Sequence, residues 1–456
     1  MNRPVAELLV ADIGSTVTKL CAFNGLSAAD GNTARFLGQG FAATSVAAGD
    51  VVVGLDEARE DLEKRLDIDT SGARWMAASS AAGGLSMSVH GLTEEMTLRA
   101  AREASLGAGA NVVFTSAGLL GQDDIDQLRR LEPRVILLAG GVDYGDREIV
   151  IGNARALAAA PVSAPVIYAG NRTAAKEVER LFVAADKTIF VVDNVYPRID
   201  ELNIEPVRDL IQEVFSTHIV SAPGLDRVRQ RVHGTILPTP GAVMLATEML
   251  AERIGNVMTI DVGGATTDVH SVTRDAPEHE HLRLRPEPHS KRTVEGDLGV
   301  YFNAEQMLRT AGRTDITPDA IVALPQRPEQ REAAITLTRL ACQQAILRHV
   351  GRVRPSYGVY GRTLVVEGRD LSAIQWIVGT GGALTRLGAG REILAALRNR
   401  GEDSDSNLMP PASAQILLDK EYLLAAAGVM SRYHRAAAQK VMLTSLGLGE
   451  EDVADG

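Results

Sequence analysis

Two stretches of this sequence carry an aspartate into a turn of small residues. The first is Asp12-Ile13-Gly14-Ser15-Thr16-Val17-Thr18-Lys19, and the second is Asp261-Val262-Gly263-Gly264-Ala265-Thr266-Thr267-Asp268. In each, an apolar run delivers a carboxylate to a turn whose backbone N–H groups can face outward. Such a turn is an anion nest. Lys19 returns on the next apolar run with a positive charge suited to the outer phosphates of a nucleotide. Two carboxylates facing one polyphosphate repel it unless a divalent cation lies between. Asp12 and Asp261 therefore imply Mg2+, held through coordinated water. A third turn, Val378-Gly379-Thr380-Gly381-Gly382-Ala383, has glycines that let backbone pack closely against a base or ribose. One glycine hairpin alone is more often structural than functional. Two Asp-X-Gly hairpins followed by a late Gly-Thr-Gly-Gly loop point to a nucleotide polyphosphate with Mg2+.

These turns need elements to hold them. Leu8–Val10 and Val17–Phe23 read as strands around the first turn, Val257–Asp261 and Thr267–Val272 around the second, and Trp376–Val378 leads into the third. The two hairpins form a weak internal repeat with a period of about 250 residues, which suits a duplicated domain. The expected division is residues 1–238, with the first hairpin, and 239–456, with the second hairpin and the third loop. From about Gly72 to Thr217, short apolar runs alternate with helical patterns. The runs are Val112–Thr115, Val135–Ala139, Val166–Ala169 and Ile189–Asp193, separated by helices over Glu94–Leu106, Ile125–Leu131, Glu148–Ala159, Ala174–Phe182 and Val207–Phe215. That alternation predicts parallel βαβ units covered on both faces. Further helices are expected at Met244–Ile254, Asn303–Ala311, Glu329–Val350, Arg391–Arg400 and Glu421–Leu443, with a polar loop at 401–407 and a frayed tail.

Composition narrows the function classes. At 456 residues the chain predicts two or three domains. Aromatics are only 4% and the net charge is -11, against the basic, aromatic surface that nucleic acid requires. Cys21 and Cys342 lack any CxxC or His neighbour, so they read as ordinary buried thiols of a reducing compartment. No run of about eighteen apolar residues predicts a membrane span. The N-terminal apolar run is too short for a signal peptide, so a cytoplasmic protein is expected. Residues Arg274 to Arg292 are charged and contain His279, His281 and His289. Their spacing fits no ligand pattern, which favours a solvated hairpin extension over a metal patch. Gly140-Gly141-Val142-Asp143-Tyr144-Gly145-Asp146 and Gly170-Asn171-Arg172 follow strands, as ordinary turns or as an effector or partner surface.

The three turns resemble, in order, the phosphate-1, phosphate-2 and adenosine motifs of the actin, Hsp70 and sugar-kinase superfamily. Val294-Glu295-Gly296-Asp297-Leu298-Gly299 is similar to the segment after the second hairpin in Hsp70, and Glu421-Tyr422 to the approach to the superfamily's terminal helix. A narrower resemblance covers nearly the whole chain. The runs DIGSTVTKL, TSAGLLGQDD, LLAGGVDYGD, IYAGN, TPGAVM, DVGGATTDV, RTVEGDLGVY and GTGGALT resemble the MutL/GlmL accessory proteins of adenosylcobalamin-dependent glutamate mutase. The resemblance implies two ribonuclease H-like α/β lobes around a nucleotide cleft, ATP and Mg2+ as cofactors, and subunits of a B12-dependent mutase as protein client. It also implies an ATP-driven reactivating factor or chaperone that holds no B12 itself. Oligomeric state is left open. One departure stands out: Ile236-Leu237-Pro238-Thr239-Pro240-Gly241 lacks the carboxylate that helps position water in Hsp70-like ATPases. Something else, for example Asp268, Asp261 or Glu295, must then orient the water, and slow hydrolysis is expected. A small-molecule kinase and an ATP-dependent scaffold or filament protein are the alternatives on the same fold.

Overall fold

The computed structural model describes residues 3–26, 31–45, 49–81, 85–218, 224–358, 361–399 and 406–449. Most of the expected polar loop (401–405) and most of the tail lie outside them.

The first strand, β1 (Leu8–Ile13), is buried on both faces. It pairs antiparallel with β2 (Val17–Asn24), and β2 with β3 (Arg35–Ala43), after which α1 (Val51–Leu66) covers the sheet. Asp50 starts that helix because its side chain accepts the Val52 N–H. β4 (Arg74–Ser79) then runs parallel beside β1.

The chain next builds a second sheet. β5 (Leu85–Gly91) leads through a π-helical turn at Glu94–Leu98 into α2 (Arg99–Gly107), followed by β6 (Ala110–Ala117), α3 (Gln122–Leu131) and β7 (Val135–Leu138). α4 (Glu148–Ala159), β8 (Val166–Tyr168), α5 (Ala175–Ala184) and β9 (Ile189–Val191) complete it. Every pairing in the order β6-β5-β7-β8-β9 is parallel, as the alternating pattern predicts. Its strand β5 escapes the apolar-run reading because Ser86, Ser88 and His90 interrupt it, and His90 is buried between the hydroxyls of Ser88 and Ser116. α6 (Glu205–His218) and α7 (Leu225–Arg231) return the chain to β10 (Leu237–Pro238), which joins β4 and completes the first sheet in the order β10-β4-β1-β2-β3.

α8 (Thr239–Ile254) opens the second half, with Pro240 in its first turn where no N–H is needed. β11 (Val257–Val262), β12 (Thr267–Val272), the short α9 (Pro277–Glu280) and β13 (Ser290–Glu295) follow, then α10 (Ala304–Thr310) and α11 (Pro328–His349). A ribbon of β14 (Arg352–Gly358) and β15 (Gly361–Glu367) precedes β16 (Trp376–Thr380), α12 (Gly382–Arg386), α13 (Gly390–Ala395) and β17 (Gln415–Leu418). The chain closes with α14 (Leu424–Met430) and α15 (Arg435–Leu446). The single terminal helix expected over Glu421–Leu443 is thus two helices, broken between Ser431 and His434.

The order β13-β12-β11-β16-β17 repeats that of the first sheet, with two antiparallel pairings followed by two parallel ones. Two such sheets in one chain are a duplicated ribonuclease H-like fold, so the expected α/β fold class holds. One core joins the first sheet to the parallel sheet and α6. Another packs the first sheet's opposite face against α8, α14 and α15, tying the chain's end back to its start.

The charged run from Arg274 to Arg292 departs from the expected solvated hairpin. Ser290–Arg292 belong to β13, and Arg292 is buried. The side chains of Glu287 and Lys291 are largely buried, 2.6 Å apart. His279 pairs with Asp370 rather than a metal.

Candidate nucleotide site

Both Asp-X-Gly turns are hairpin ends. Asp12 sits opposite Lys19 in the β1–β2 ladder, and Asp261 opposite Asp268 in β11–β12. Each turn closes alike: Gly14 N–H donates to the Val17 carbonyl at 3.1 Å, and Gly263 N–H to that of Thr266 at 2.9 Å. The backbone amides of Ser15, Thr16, Gly264 and Ala265 take no partner among the described residues, which leaves two nests. The Ser15 hydroxyl donates to the Ser80 carbonyl at 3.2 Å. The turns also meet. A Cβ built on Gly264 would stand 3.1 Å from the Thr16 side chain, so the first two motifs share one site.

The third loop joins them there. Thr380 pairs with Asp261 across β11 and β16. Gly381 has φ +87°, and a Cβ on it would lie 2.7 Å from an Asp261 carboxylate oxygen, so only glycine passes. Gly382 and Gly296 face open space. Gly379 does not: the position of its absent side chain is filled by Leu384, Leu394 and Leu418. Ala383 packs on the second lobe's core, and the Thr267 hydroxyl is buried against the Leu298 carbonyl at 2.8 Å. The Thr380 hydroxyl donates to Asp419 at 2.8 Å. Asp419 also accepts from Ser445 and from the N–H groups of Leu423 and Leu424, which fixes the approach to α14.

Charge in the site is mostly negative. Burial, then the carboxylates of Asp268 and Asp12, push Asp261 up to about 7, while Lys19 opposes the shift. The Tyr422 phenol is likewise held well above its ordinary value by burial and by Asp261, Asp12 and Asp419. Among the described residues no three carboxylate, imidazole or thiol groups are close enough to chelate a metal directly. A divalent cation held through water fits this donor set: carboxylates from both hairpins converge, and one ionises only with difficulty until a cation arrives.

Three expectations change in the geometry. Lys19 does not point into an open phosphate site. It is buried, donates to the Tyr422 carbonyl at 2.6 Å, lies 3.4 Å from that ring's centroid and stands 3.5 Å from Asp12. These contacts surround its ammonium, and Tyr422 itself has φ 54°. Asp268 is not a free acid either. It accepts two N–H groups of the buried Arg292, at 2.6 and 2.9 Å, and the Thr266 hydroxyl at 3.0 Å. Glu295 accepts from Arg348 at 2.6 Å, and burial still raises its pKa. Where a carboxylate is missing after Pro238, the Thr239 hydroxyl donates to Asp12 at 2.8 Å.

Thr239, Asp419, Tyr422 and Arg292 are the site's unforeseen members. Thr239 lies in the stretch whose missing carboxylate drew notice, and Tyr422 in a segment read only as a helix approach. Asp419 and Arg292 carried no signal: Asp419 follows β17, which is not among the apolar runs read as strands, and Arg292 lies in the run that reads as solvated charge. The Gly140–Asp146 loop lies apart, at the carboxyl ends of the parallel strands. It is held by the buried amide side chains of Asn171 and Asn194.

Known proteins bear on the identity of this chain. Solved structures give faint likenesses: a diol dehydratase-reactivating factor in nucleotide-free form (10% identity, TM-score 0.31, 95% of this chain and 100% of that one) and the xylulose kinase of Bifidobacterium adolescentis (11%, 0.30, 99% and 96%). These scores are too low to carry an argument. No helix among the described residues is long and apolar enough to cross a membrane. In sequence, a curated relative, "Protein MutL" of Clostridium tetanomorphum, is 34% identical over 460 aligned positions, spanning 95% of this chain and 98% of its own length. The family model described as "MutL protein" matches residues 8–446, and the chain belongs to the MutL family.

Proposed function

We propose that this protein binds MgATP between its two ribonuclease H-like lobes and hydrolyses it slowly to remodel a B12-dependent mutase. The lobes are residues 1–238 and 239–456. Membership of the MutL family supports the mutase client, and the 4% aromatic content and net charge of -11 agree with a protein rather than a nucleic-acid partner. The observation that carries the ATP reading is the meeting of three glycine turns on one buried cluster of carboxylates. The unpartnered amides of Ser15, Thr16, Gly264 and Ala265 would hold the phosphates. Asp12 and Asp261 would hold Mg2+ through water, the ion supplying charge neutralisation at the outer phosphates. Gly381, Gly382 and Ala383 would border the adenosine, and Gly296 the open side beyond the second hairpin. Lys19 would serve first as counter-charge to Asp12 and Asp261, reaching a phosphate only when Tyr422 gives way.

Of the acids considered for orienting water, Asp261 is the one without an arginine partner among the described residues. Arg292 holds Asp268 and Arg348 holds Glu295, whereas Asp261 titrates near neutrality. With so little base available, hydrolysis suits a switch. Steady-state ADP release, with and without purified subunits of a B12-dependent mutase, tests the reading. Slow turnover stimulated by those subunits supports it; turnover requiring an added small-molecule acceptor points to a kinase instead.

A further inference from the structure

Asp12 and Asp261 face the same site but are held differently. Among the described residues the Asp12 carboxylate has two partners. Its Oδ1 accepts the Thr239 hydroxyl at 2.8 Å, and its Oδ2 stands 3.5 Å from the Lys19 ammonium. The second distance is too long for a directed hydrogen bond, so Lys19 supplies charge and Thr239 supplies direction. No described residue donates a hydrogen bond to the Asp261 carboxylate. Asp12 is therefore the carboxylate that is set in advance, and Thr239 is what sets it.

Thr239 has little freedom of its own. It lies between two prolines, whose rings lock the backbone on either side. Pro238 pairs with Ser79 in the first sheet, and Pro240 sits in the first turn of α8. A Cβ on Gly241 would run into the Ala108 carbonyl, so α8 begins in direct contact with the turn between α2 and β6. Gly428 of α14 rests in the same way against the Ala242 carbonyl. Farther along α8, the Thr247 hydroxyl donates to that of Thr259 in β11 at 3.0 Å. The helix is thus anchored in the first sheet at its start and on the second sheet along its length. Nor does the Thr239 hydroxyl cap that helix: it reaches Asp12, 227 positions earlier in the chain.

We propose that Thr239 is the positioning residue for Asp12, holding its carboxylate in the orientation that receives the water shell of a nucleotide-bound Mg2+. The inference rests on the nucleotide reading above. A carboxylate that helps to hold a metal is itself hydrogen-bonded, and loss of that outer partner costs about 10–100-fold in metal affinity. The Thr239 hydroxyl occupies Oδ1. Oδ2, beside which the Lys19 ammonium already supplies a positive charge, remains for the hydrated cation.

Titration calorimetry with ADP, in Mg2+ and in chelator, tests this on the full chain. Thr239→Val keeps the shape of the side chain and removes the hydroxyl. Its ADP affinity should fall about 10–100-fold in Mg2+ and match the wild type in chelator. Thr239→Ser restores the donor and should recover most of the loss. In an Asp12→Ala background, Thr239→Val should change nothing further, because the group it positions is gone. Wild-type magnesium dependence in Thr239→Val overturns the proposal. So does an equal loss with and without Mg2+, or an equal loss in the valine and serine variants, since either marks a role in folding alone. A wild type that binds no nucleotide in either condition overturns the nucleotide reading itself, and this inference with it.

Discussion

Asp261 is the residue whose chemistry is most distinctive. Its carboxyl titrates at about 7 because burial and neighbouring carboxylates oppose ionisation. With the folded value raised, its contribution to stability is full below about pH 4, declines as pH rises and is lost above about 7. Mg2+ selects the ionised form, so magnesium-dependent nucleotide affinity should rise with pH towards 7 and level off above it. Titration calorimetry from pH 6 to 8 checks this, and Asp261→Asn should flatten the profile. An unchanged slope in Asp261→Asn would assign the dependence to another group. Lys19 makes a second case. Removing it leaves Asp12, buried and 3.5 Å from the ammonium, without a cation, and such a loss costs about 3–5 kcal/mol. Urea denaturation of Lys19→Ala should show a loss of that order, partly restored by adding Asp12→Asn. Equal stability of Lys19→Ala and wild type would mean the lysine is not the counter-charge.

At the scale of elements, Arg292 links the site to the parallel-sheet unit. One end of its guanidinium holds Asp268, and the other donates to the carbonyls of Leu106 and Ala110 at 2.9 and 3.0 Å, where α2 gives way to β6. Arg292→Met should cost about 3–5 kcal/mol by leaving Asp268 buried and unpaired. Asp268→Asn in the same background should recover much of it, measured by thermal or urea unfolding. Much of this level was legible in the sequence. The hairpins announced themselves because an apolar strand, an Asp and a glycine turn are local features. The parallel strands were legible as apolar runs between helical periods. Unseen were β5, whose alternating serines and histidine hide a buried strand, and β13, whose Lys291 and Arg292 disguise a strand as solvated charge. Both lie where polar side chains are buried against polar partners, which no hydropathy pattern shows. The same reason hid Asp419 and Thr239, whose roles arise only when β16, α8 and α14 pack around β1 and β11.

At the scale of the molecule, two copies of one sheet topology face each other through their glycine turns, and the chain's end returns to the first lobe. The duplication was readable from two similar hairpins about 250 residues apart. The fate of Lys19 was not, because its partner Tyr422 arrives 403 positions later in the chain. Isothermal titration with ATP and ADP, with and without Mg2+, tests the central claim most directly. The account predicts magnesium-dependent binding in the wild type, and its loss in an Asp12→Ala variant that still folds. Failure of the folded wild type to bind either nucleotide would contradict it, leaving three converging glycine turns with no phosphate to hold.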